Sequence, residues 1–262
     1  MPFARTLLTA LALMALPAID RRAAACSCAP RPAEFEITPS GGAPVPLNAR
    51  VRVAFGGRLT DSAETGVEVT LRTSAGRKVA TREQVYRDSR GRELRELTPQ
   101  APLRPETDYT VVVTGGRPSR PKVATARFRT GRAADTGAPQ WRGIEAAVLV
   151  PGDTDPAHGG LCHSYRPYGH LKVASPIDPE SSPVVFAVWL GPSGAALAYD
   201  RAPVTYVTAV DGHITIGDPS KCGDGLLPWQ DPGTRVGLRA VDQAGNLSPP
   251  SETQLTLQAS RY

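Results

Sequence analysis

The chain has 262 residues, a formal net charge of +5, and 26 prolines and 25 glycines. So many helix-breaking residues exclude long helices and favour short strands joined by turns. We therefore predict an all-β protein that is long enough for two domains of ordinary size.

Residues 1–25 have the pattern of a cleaved signal peptide. Arg5 provides a positive charge, residues 7–19 form an apolar run, and Ala25 ends a small-residue cleavage site. No later segment approaches the roughly 18 apolar residues of a membrane span. We therefore expect an exported protein that is secreted or associated with the cell surface or outer membrane.

Cys26 would be the first residue after cleavage, and it is a candidate lipidation site of the bacterial lipoprotein kind. Against lipidation, the polar residues Asp20, Arg21 and Arg22 separate the apolar run from this cysteine. Lipoprotein and soluble secretion both stay open, and a lipid anchor is the only membrane contact that we expect. The pairing of Cys26 and Cys28 also stays open.

The next hundred residues alternate apolar and polar side chains in short runs separated by turns, a period that puts one face of each strand on a core. The runs are centred on Phe35, Val53, Val69, Val111 and Phe128. This pattern predicts a β-sandwich.

Several segments of this region, taken in order, carry a family resemblance. They are Ile37-Thr38-Pro39, Val45-Pro46-Leu47-Asn48, Leu97-Thr98-Pro99, the proline turn that leads to Tyr109, and Phe128-Arg129-Thr130-Gly131. Their order resembles the bacterial Ig-like domain of S-layer proteins. The resemblance implies a tyrosine corner at Tyr109, and a non-catalytic module of a cell-surface or secreted protein.

The second half contains an apolar run at residues 184–190 and alternating strands near Tyr206, Leu238 and Leu255. Around Gly245-Asn246 it resembles the late hairpin of bacterial Ig-like and fibronectin type III domains, where this pair permits a positive φ. We therefore predict two Ig-like β-sandwich domains in tandem. The predicted parts are a signal peptide at 1–25, an N-terminal segment at 26–32, domain 1 at 33–131, a linker at 132–139 and domain 2 at 140–262.

Charge divides along the same boundary. Residues 33–132 carry 18 basic and 11 acidic side chains, a net charge of +7, whereas residues 135–262 carry 8 and 13, a net charge of −5. The basic half could bind an anionic cell-surface polymer, or it could pack against the acidic half. The partner is otherwise unknown. Nucleic acid is not expected, because the arginines alternate with apolar residues in strands of an exported chain.

Cys162 and Cys222 both lie beside glycine-rich loop sequence in domain 2, and we predict a disulfide between them. Closing a loop of about 60 residues would stabilise the fold by roughly 4 kcal/mol in the chain-entropy model. The disulfide would also withdraw Cys162 from metal binding, because its sulfur would no longer be a thiolate.

Three histidines, His158, His163 and His170, crowd one segment of domain 2, but their spacing matches no standard zinc pattern. We interpret them as part of a polar loop, and a zinc or copper site there is an alternative. Four further residues offer oxygen atoms of the kind that calcium prefers, namely Asp211, Asp218, Asp242 and Asn246. We interpret these four as turn and capping residues, so no cofactor is expected.

Trp229 lies in a loop close to Cys222, and we interpret it as a cap on the core beneath that loop. The alternative is that Trp229 contacts a sugar or protein partner. No G-x-S-x-G, H-E-x-x-H or phosphate-binding glycine pattern occurs, so no catalytic residue is predicted. The sequence therefore predicts a non-catalytic interaction or structural module of the cell envelope. The alternatives are a carbohydrate-binding or adhesion module that uses domain 2, and a metal-binding protein that uses residues 158–170.

Overall fold

The structure is a computed structural model, and it describes residues 34–56, 67–87, 93–117, 120–150, 167–179, 182–217 and 233–257. These ranges contain strands and turns but no helix. The strands are β1 (Glu34–Thr38), β2 (Val51–Gly56), β3 (Glu68–Thr73), β4 (Thr81–Arg87), β5 (Glu93–Pro99), β6 (Asp108–Arg117), β7 (Arg120–Arg129), β8 (Ile144–Val150), β9 (Tyr168–Val173), β10 (Val185–Gly191), β11 (Thr205–Val207), β12 (His213–Ile216), β13 (Arg235–Val241), β14 (Ser251–Gln254) and β15 (Thr256–Leu257).

The first seven strands form two sheets, in the orders β1-β2-β5-β4 and β3-β6-β7, and all neighbouring strands are antiparallel. The two sheets enclose a core in which Val53, Phe55, Leu71 and Val111 have no exposed surface. Alternation along β2 turns Val53 and Phe55 inward, and it leaves Ala54 on the opposite face of the sheet.

The last eight strands form a second pair of sheets, in the orders β12-β9-β8-β15 and β11-β10-β13-β14. Their core contains Phe186, Val188, Ile214, Leu238 and Leu255, each at most 1% exposed. Strand β15 runs parallel to β8, whereas the other pairs are antiparallel. The structure thus confirms an all-β fold of two Ig-like sandwiches.

The tyrosine corner that the resemblance implied is present in the first sandwich. The backbone N–H of Arg104 donates a hydrogen bond of 2.9 Å to the hydroxyl oxygen of Tyr109. The Tyr109 side chain is 3% exposed and its ring stacks on Phe128, with ring centroids 5.6 Å apart. In the second sandwich Gly245 has the expected positive φ, at 92°.

The sequence did not predict strands β4, β5, β8, β9, β12 and β14. Strand β9 contains His170, so our interpretation of this residue as part of a polar loop is wrong. The inward positions of β9 include Gly169 as well as Leu171 and Val173, and the glycine weakens the apolar alternation. On β5 the fully buried Glu96 disturbs the pattern, because a charged side chain stands where burial would predict an apolar one.

Candidate functional site at the junction of the sandwiches

The two sandwiches contact each other through the outer faces of two sheets. Strands β2 and β5 contribute side chains that point away from the first core, and β10, β11 and β13 contribute side chains that point away from the second core. We call this group the junction cluster, and it consists of Ala54, Leu94, Ala187, Trp189, Tyr206 and Val241, all at most 9% exposed. Because both sandwiches contribute to it, the cluster is a third core that neither sandwich could form by itself.

Aromatic rings strengthen this contact. Tyr86 of β4 meets Tyr206 of β11 edge to face, with ring centroids 5.1 Å apart. The guanidinium carbon of Arg52 lies 5.2 Å from the centroid of the Tyr206 ring, within the range of a cation–π contact. Burial and the nearby negative charge of Glu96 raise the pKa of Tyr206 well above 10.0, so its phenol stays neutral at physiological pH.

A buried network of charges lies beside the junction cluster. Glu96 has no exposed surface, and its two carboxylate oxygens accept from Arg52 Nε at 2.9 Å and from Arg50 Nη1 at 3.0 Å. The remaining nitrogens of Arg52, Nη1 and Nη2, lie 3.3 Å from the carbonyl oxygen of Asp242 in the second sandwich. The backbone N–H of Arg50 also donates to the carbonyl oxygen of Gln243, at 2.8 Å. Arg50, which directly precedes β2, and Arg52 on β2 thus hold the turn that follows β13.

That turn is shaped by its own aspartate. One carboxylate oxygen of Asp242, Oδ1, accepts from the backbone N–H groups of Gly245 at 2.7 Å and Asn246 at 2.9 Å. The side chain of Asp242 therefore caps this turn, as the sequence predicted, and Asn246 contributes a backbone N–H to the cap. Burial raises the pKa of the Asp242 carboxyl, the hydrogen bonds from Asn246 partly offset this shift, and the negative charge of Asp135 adds to it.

The same turn brings three buried acidic side chains together. We call Asp135, Asp178 and Asp242 the aspartate cluster; one carboxylate oxygen of each lies within 4.8 Å of the others. Their exposed fractions are 2%, 8% and 0%. Asp135 belongs to the segment between β7 and β8, and Asp178 follows an isolated bridge that joins Ile177 to Gln140 through two backbone hydrogen bonds of 2.8 Å. This bridge holds the two segments side by side.

Two oxygens of the aspartate cluster have no partner among the described residues. Asp135 Oδ1 accepts from the Gly137 N–H at 2.8 Å, and Asp178 Oδ2 accepts from the Ser182 N–H at 2.7 Å. In the part of the chain that the structure describes, Asp135 Oδ2 and Asp178 Oδ1 are buried without any hydrogen-bond donor. No ion pair to any of the three aspartates occurs among the described residues either. Acceptors outnumber donors at this site.

The amide of Asn246 lies within the same group of oxygens. Its Nδ2 is 2.8 Å from Asp242 Oδ2, 3.3 Å from Asp135 Oδ1, 3.2 Å from the Asp135 carbonyl oxygen and 3.1 Å from that of Gly137. One amide nitrogen with two hydrogens therefore faces four acceptors. On the side of the first sandwich, the Asn48 amide holds Asp135 through its backbone, donating to the carbonyl at 2.7 Å and accepting from the N–H at 2.9 Å.

Of the other residues that the sequence analysis selected, the structure describes His170 and Asp211. His170 on β9 is half-buried, and its ring stacks on that of His213 on β12, with centroids 4.9 Å apart. Asp211 is exposed in a tight turn with φ 51°. The remaining selected residues lie outside the described ranges: Cys26, Cys28, His158, Cys162, His163, Asp218, Cys222 and Trp229. The signal peptide lies outside them as well.

Sequence reasoning missed Asp135, Asp178, Arg52 and Glu96. Asp135 stands in a small, polar stretch that predicts an exposed linker, and the acidic side chains of loops are ordinarily solvated. Arg52 and Glu96 stand at outward positions of β2 and β5, where charged side chains are ordinary, so the alternation gave no signal of their burial. Nothing in the spacing of Asp135 and Asp178 indicates that they meet.

No protein-family model matches the chain, and no curated protein does. Solved structures give distant matches. The tandem Ig repeats of Dlar are 15% identical, with 87% of this chain and 100% of that chain covered and a TM-score of 0.29. The N-terminal part of the bacterial S-layer protein SbsC is 12% identical, with 84% and 44% covered and a TM-score of 0.25. A marsupial T cell receptor is 12% identical, with 87% and 97% covered and a TM-score of 0.26.

At such identities and scores these likenesses carry nothing about function. The Ig-like description therefore rests on the strand orders, the two cores and the tyrosine corner. Within the described ranges, the structure contains no helix of the length and apolarity that a membrane crossing requires.

Proposed function

We propose that the chain is an exported, non-catalytic interaction or structural module of the cell envelope or the secreted fraction, in which the two sandwiches act as one rigid unit. The observation that carries this proposal is the junction cluster. Side chains that would face water in two freely jointed domains are instead at most 9% exposed. Burial of this kind favours a fixed geometry over independent motion of the domains.

The predicted domain limits, 33–131 and 140–262 with a linker at 132–139, remain part of the proposal. In this view residues 132–139 connect two sandwiches that stay in contact. The Asn48–Asp135 pair and the hydrogen bond from Leu47 N–H to the Ala133 carbonyl, at 3.0 Å, support a connector that follows the protein surface closely.

An anionic cell-surface polymer is the partner class that the charge distribution supports. The described part of the basic first half exposes seven arginine side chains outside the junction: Arg72, Arg77, Arg82, Arg104, Arg127, Arg129 and Arg132. Exposed arginines bind polyanions through long-range attraction that salt weakens. Binding to a bacterial cell-envelope preparation should therefore decrease with salt, and Arg127→Gln with Arg129→Gln should weaken it. The matched control is Arg142→Gln with Arg201→Gln in the acidic half.

Two alternatives stay with the proposal. The first is a carbohydrate-binding or adhesion role of the second sandwich through Trp229. A glycan array with wild-type protein and Trp229→Ala tests it. The second is zinc or copper binding through His158, His163 and His170. Metal analysis of the purified protein tests this one, with His163→Ala as the variant.

Cell fractionation with mass analysis of the N-terminus is the experiment that tests export. We expect the chain outside the cytoplasm, beginning at Cys26, with the mass either of a free cysteine or of a lipid-modified one. A full-length chain beginning at Met1 in the cytoplasm would refute export, and with it the cell-envelope role.

A further inference from the structure

The aspartate cluster concentrates negative charge in the interior without a paired cation among the described residues. Three carboxylates are buried close together, and their only described donors are backbone and asparagine N–H groups. Among the described residues the buried cation is Arg52, which forms its ion pair with Glu96 and contacts the cluster through the carbonyl oxygen of Asp242. Burying unpaired carboxylates is costly, and proteins ordinarily pair such groups or let them coordinate a metal.

Two carboxylate oxygens of the cluster indicate what kind of ligand the site would take. Asp135 Oδ2 and Asp178 Oδ1 are buried on residues that are 2% and 8% exposed, and no described residue donates a hydrogen bond to either oxygen. Each belongs to a carboxylate whose other oxygen already holds a backbone N–H. The second oxygen of each is therefore left for a ligand that carries positive charge.

The spacing of the oxygens is compatible with one bound calcium ion. Calcium binds oxygen at 2.3–2.6 Å, so two ligands of one ion stand up to about 4.6–5.2 Å apart. In the aspartate cluster one oxygen of each carboxylate lies within 4.8 Å of the other two. Magnesium would require a tighter, nearly octahedral shell at about 2.0–2.1 Å. Zinc and copper favour nitrogen or sulfur ligands, and the cluster offers only oxygen.

We propose that Asp135, Asp178 and Asp242 form a calcium site at the junction of the two sandwiches. The carbonyl oxygens of Asp135 and Gly137, which face the Asn246 amide, are further hard ligands beside the carboxylates. The ion would bind the connector (Asp135), the turn before β10 (Asp178) and the turn after β13 (Asp242) to one another. Asn48 and Arg52 would extend this bracing to the first sandwich. The site does not depend on what the module binds.

Calcium titration of the full chain, after treatment with a chelator, tests the site. We expect one calcium ion per chain by isothermal titration calorimetry, with a Kd on the order of 10⁻⁴ to 10⁻³ M as in extracellular modules. The thermal unfolding midpoint should rise with calcium concentration, because the ion binds the folded state. No binding at about 10 mM calcium, ten times the weak end of that range, would overturn the proposal.

Substitutions locate the ion. Asp178→Asn should weaken calcium affinity at least about tenfold, since it removes charge from the ligand set. The control is Asp211→Asn, in an exposed turn whose positive φ asparagine tolerates. Asp211→Asn should bind calcium like the wild type. Should Asp178→Asn fail to fold, Asp135→Asn serves as the second variant, and the titration of the wild type decides by itself whether an ion binds.

Two further results would overturn the assignment. Wild-type affinity in a folded Asp178→Asn or Asp135→Asn protein would place the ion elsewhere. An equal rise of the unfolding midpoint with magnesium at the same concentration would contradict the assignment to calcium.

Discussion

Replacing Glu96 by glutamine is the sharpest perturbation of the junction. The change keeps the shape of the side chain but removes the negative charge between Arg50 and Arg52. One of its two oxygens becomes an NH₂ group that faces a guanidinium donor. Glu96 and Arg52 have side-chain exposures of 0% and 6%, so the substitution leaves a buried cation without its counter-ion.

The expected loss of unfolding free energy follows from the two ion pairs of Glu96, one with Arg52 and one with Arg50. Breaking a buried ion pair by removing one partner costs about 3–5 kcal/mol. The ion pair with Arg50 adds at most about 1 kcal/mol, because the Arg50 side chain is 29% exposed and solvent screens the pair. We expect a loss near the lower end, about 3 kcal/mol, because glutamine retains one acceptor. For a chain of this size that lowers Tm by about 6–12 °C.

Differential scanning calorimetry is the assay, since it reports both Tm and the number of transitions. Arg52 also contacts the second sandwich through the Asp242 carbonyl, so Glu96→Gln should divide a single unfolding transition into two. Glu83→Gln is the matched control, because Glu83 is a more exposed partner of Arg95 in the same sheet. A Tm within 2 °C of the wild type for Glu96→Gln, about 0.5–1 kcal/mol by the same conversion, would refute the reasoning.

Four further outcomes follow. Tyr109→Phe should destabilise the protein by about 1 kcal/mol, measured by urea unfolding, because one buried hydrogen bond is lost; an unchanged midpoint would contradict the corner. Mild trypsin should cut after the exposed Arg132, and the two fragments should elute together in gel filtration; separate elution would contradict the junction cluster. Burial raises the pKa of Tyr206 in the folded protein above its ordinary value of 10.0. The contribution of its neutral phenol to stability is therefore fully present below pH 10.0 and is lost as the pH rises further. The free energy of unfolding should fall above pH 10.0, and it should fall less steeply in Tyr206→Phe. Peptide mapping of the oxidised protein should yield a pair linked through Cys162 and Cys222, and two free thiols there would show that the disulfide is wrong.

Most of the fold was accessible from the sequence, because alternation reports which face of a strand is buried. It identified β2, β6 and β13 through residues such as Val53, Val111 and Leu238, which lie in the two cores. The pattern was weaker in β5, where Glu96 faces the other sandwich. Alternation distinguishes an inner face from an outer one, but it does not show that an outer face is itself covered.

Only part of the candidate site could be predicted from the sequence, because a local pattern does not show contacts between distant segments. Asp242 and Asn246 belong to a local turn, and sequence reasoning identified their oxygen atoms and their capping role. Asp135 and Asp178 join them through contacts between residues distant in the chain. Asn246, for example, reaches Asp135 across 111 positions. Burial of a carboxylate is a property of the assembled fold, and no local pattern in this chain encodes it.

The junction cluster also bears on how such a chain can evolve. Modules joined end to end can be shuffled, duplicated or lost singly, because each completes its own core. Here Ala54 and Leu94 complete a core together with Trp189 and Val241. A larger side chain on one sandwich would need a smaller one on the other, so we expect the two halves to be inherited together and to vary in concert across the junction.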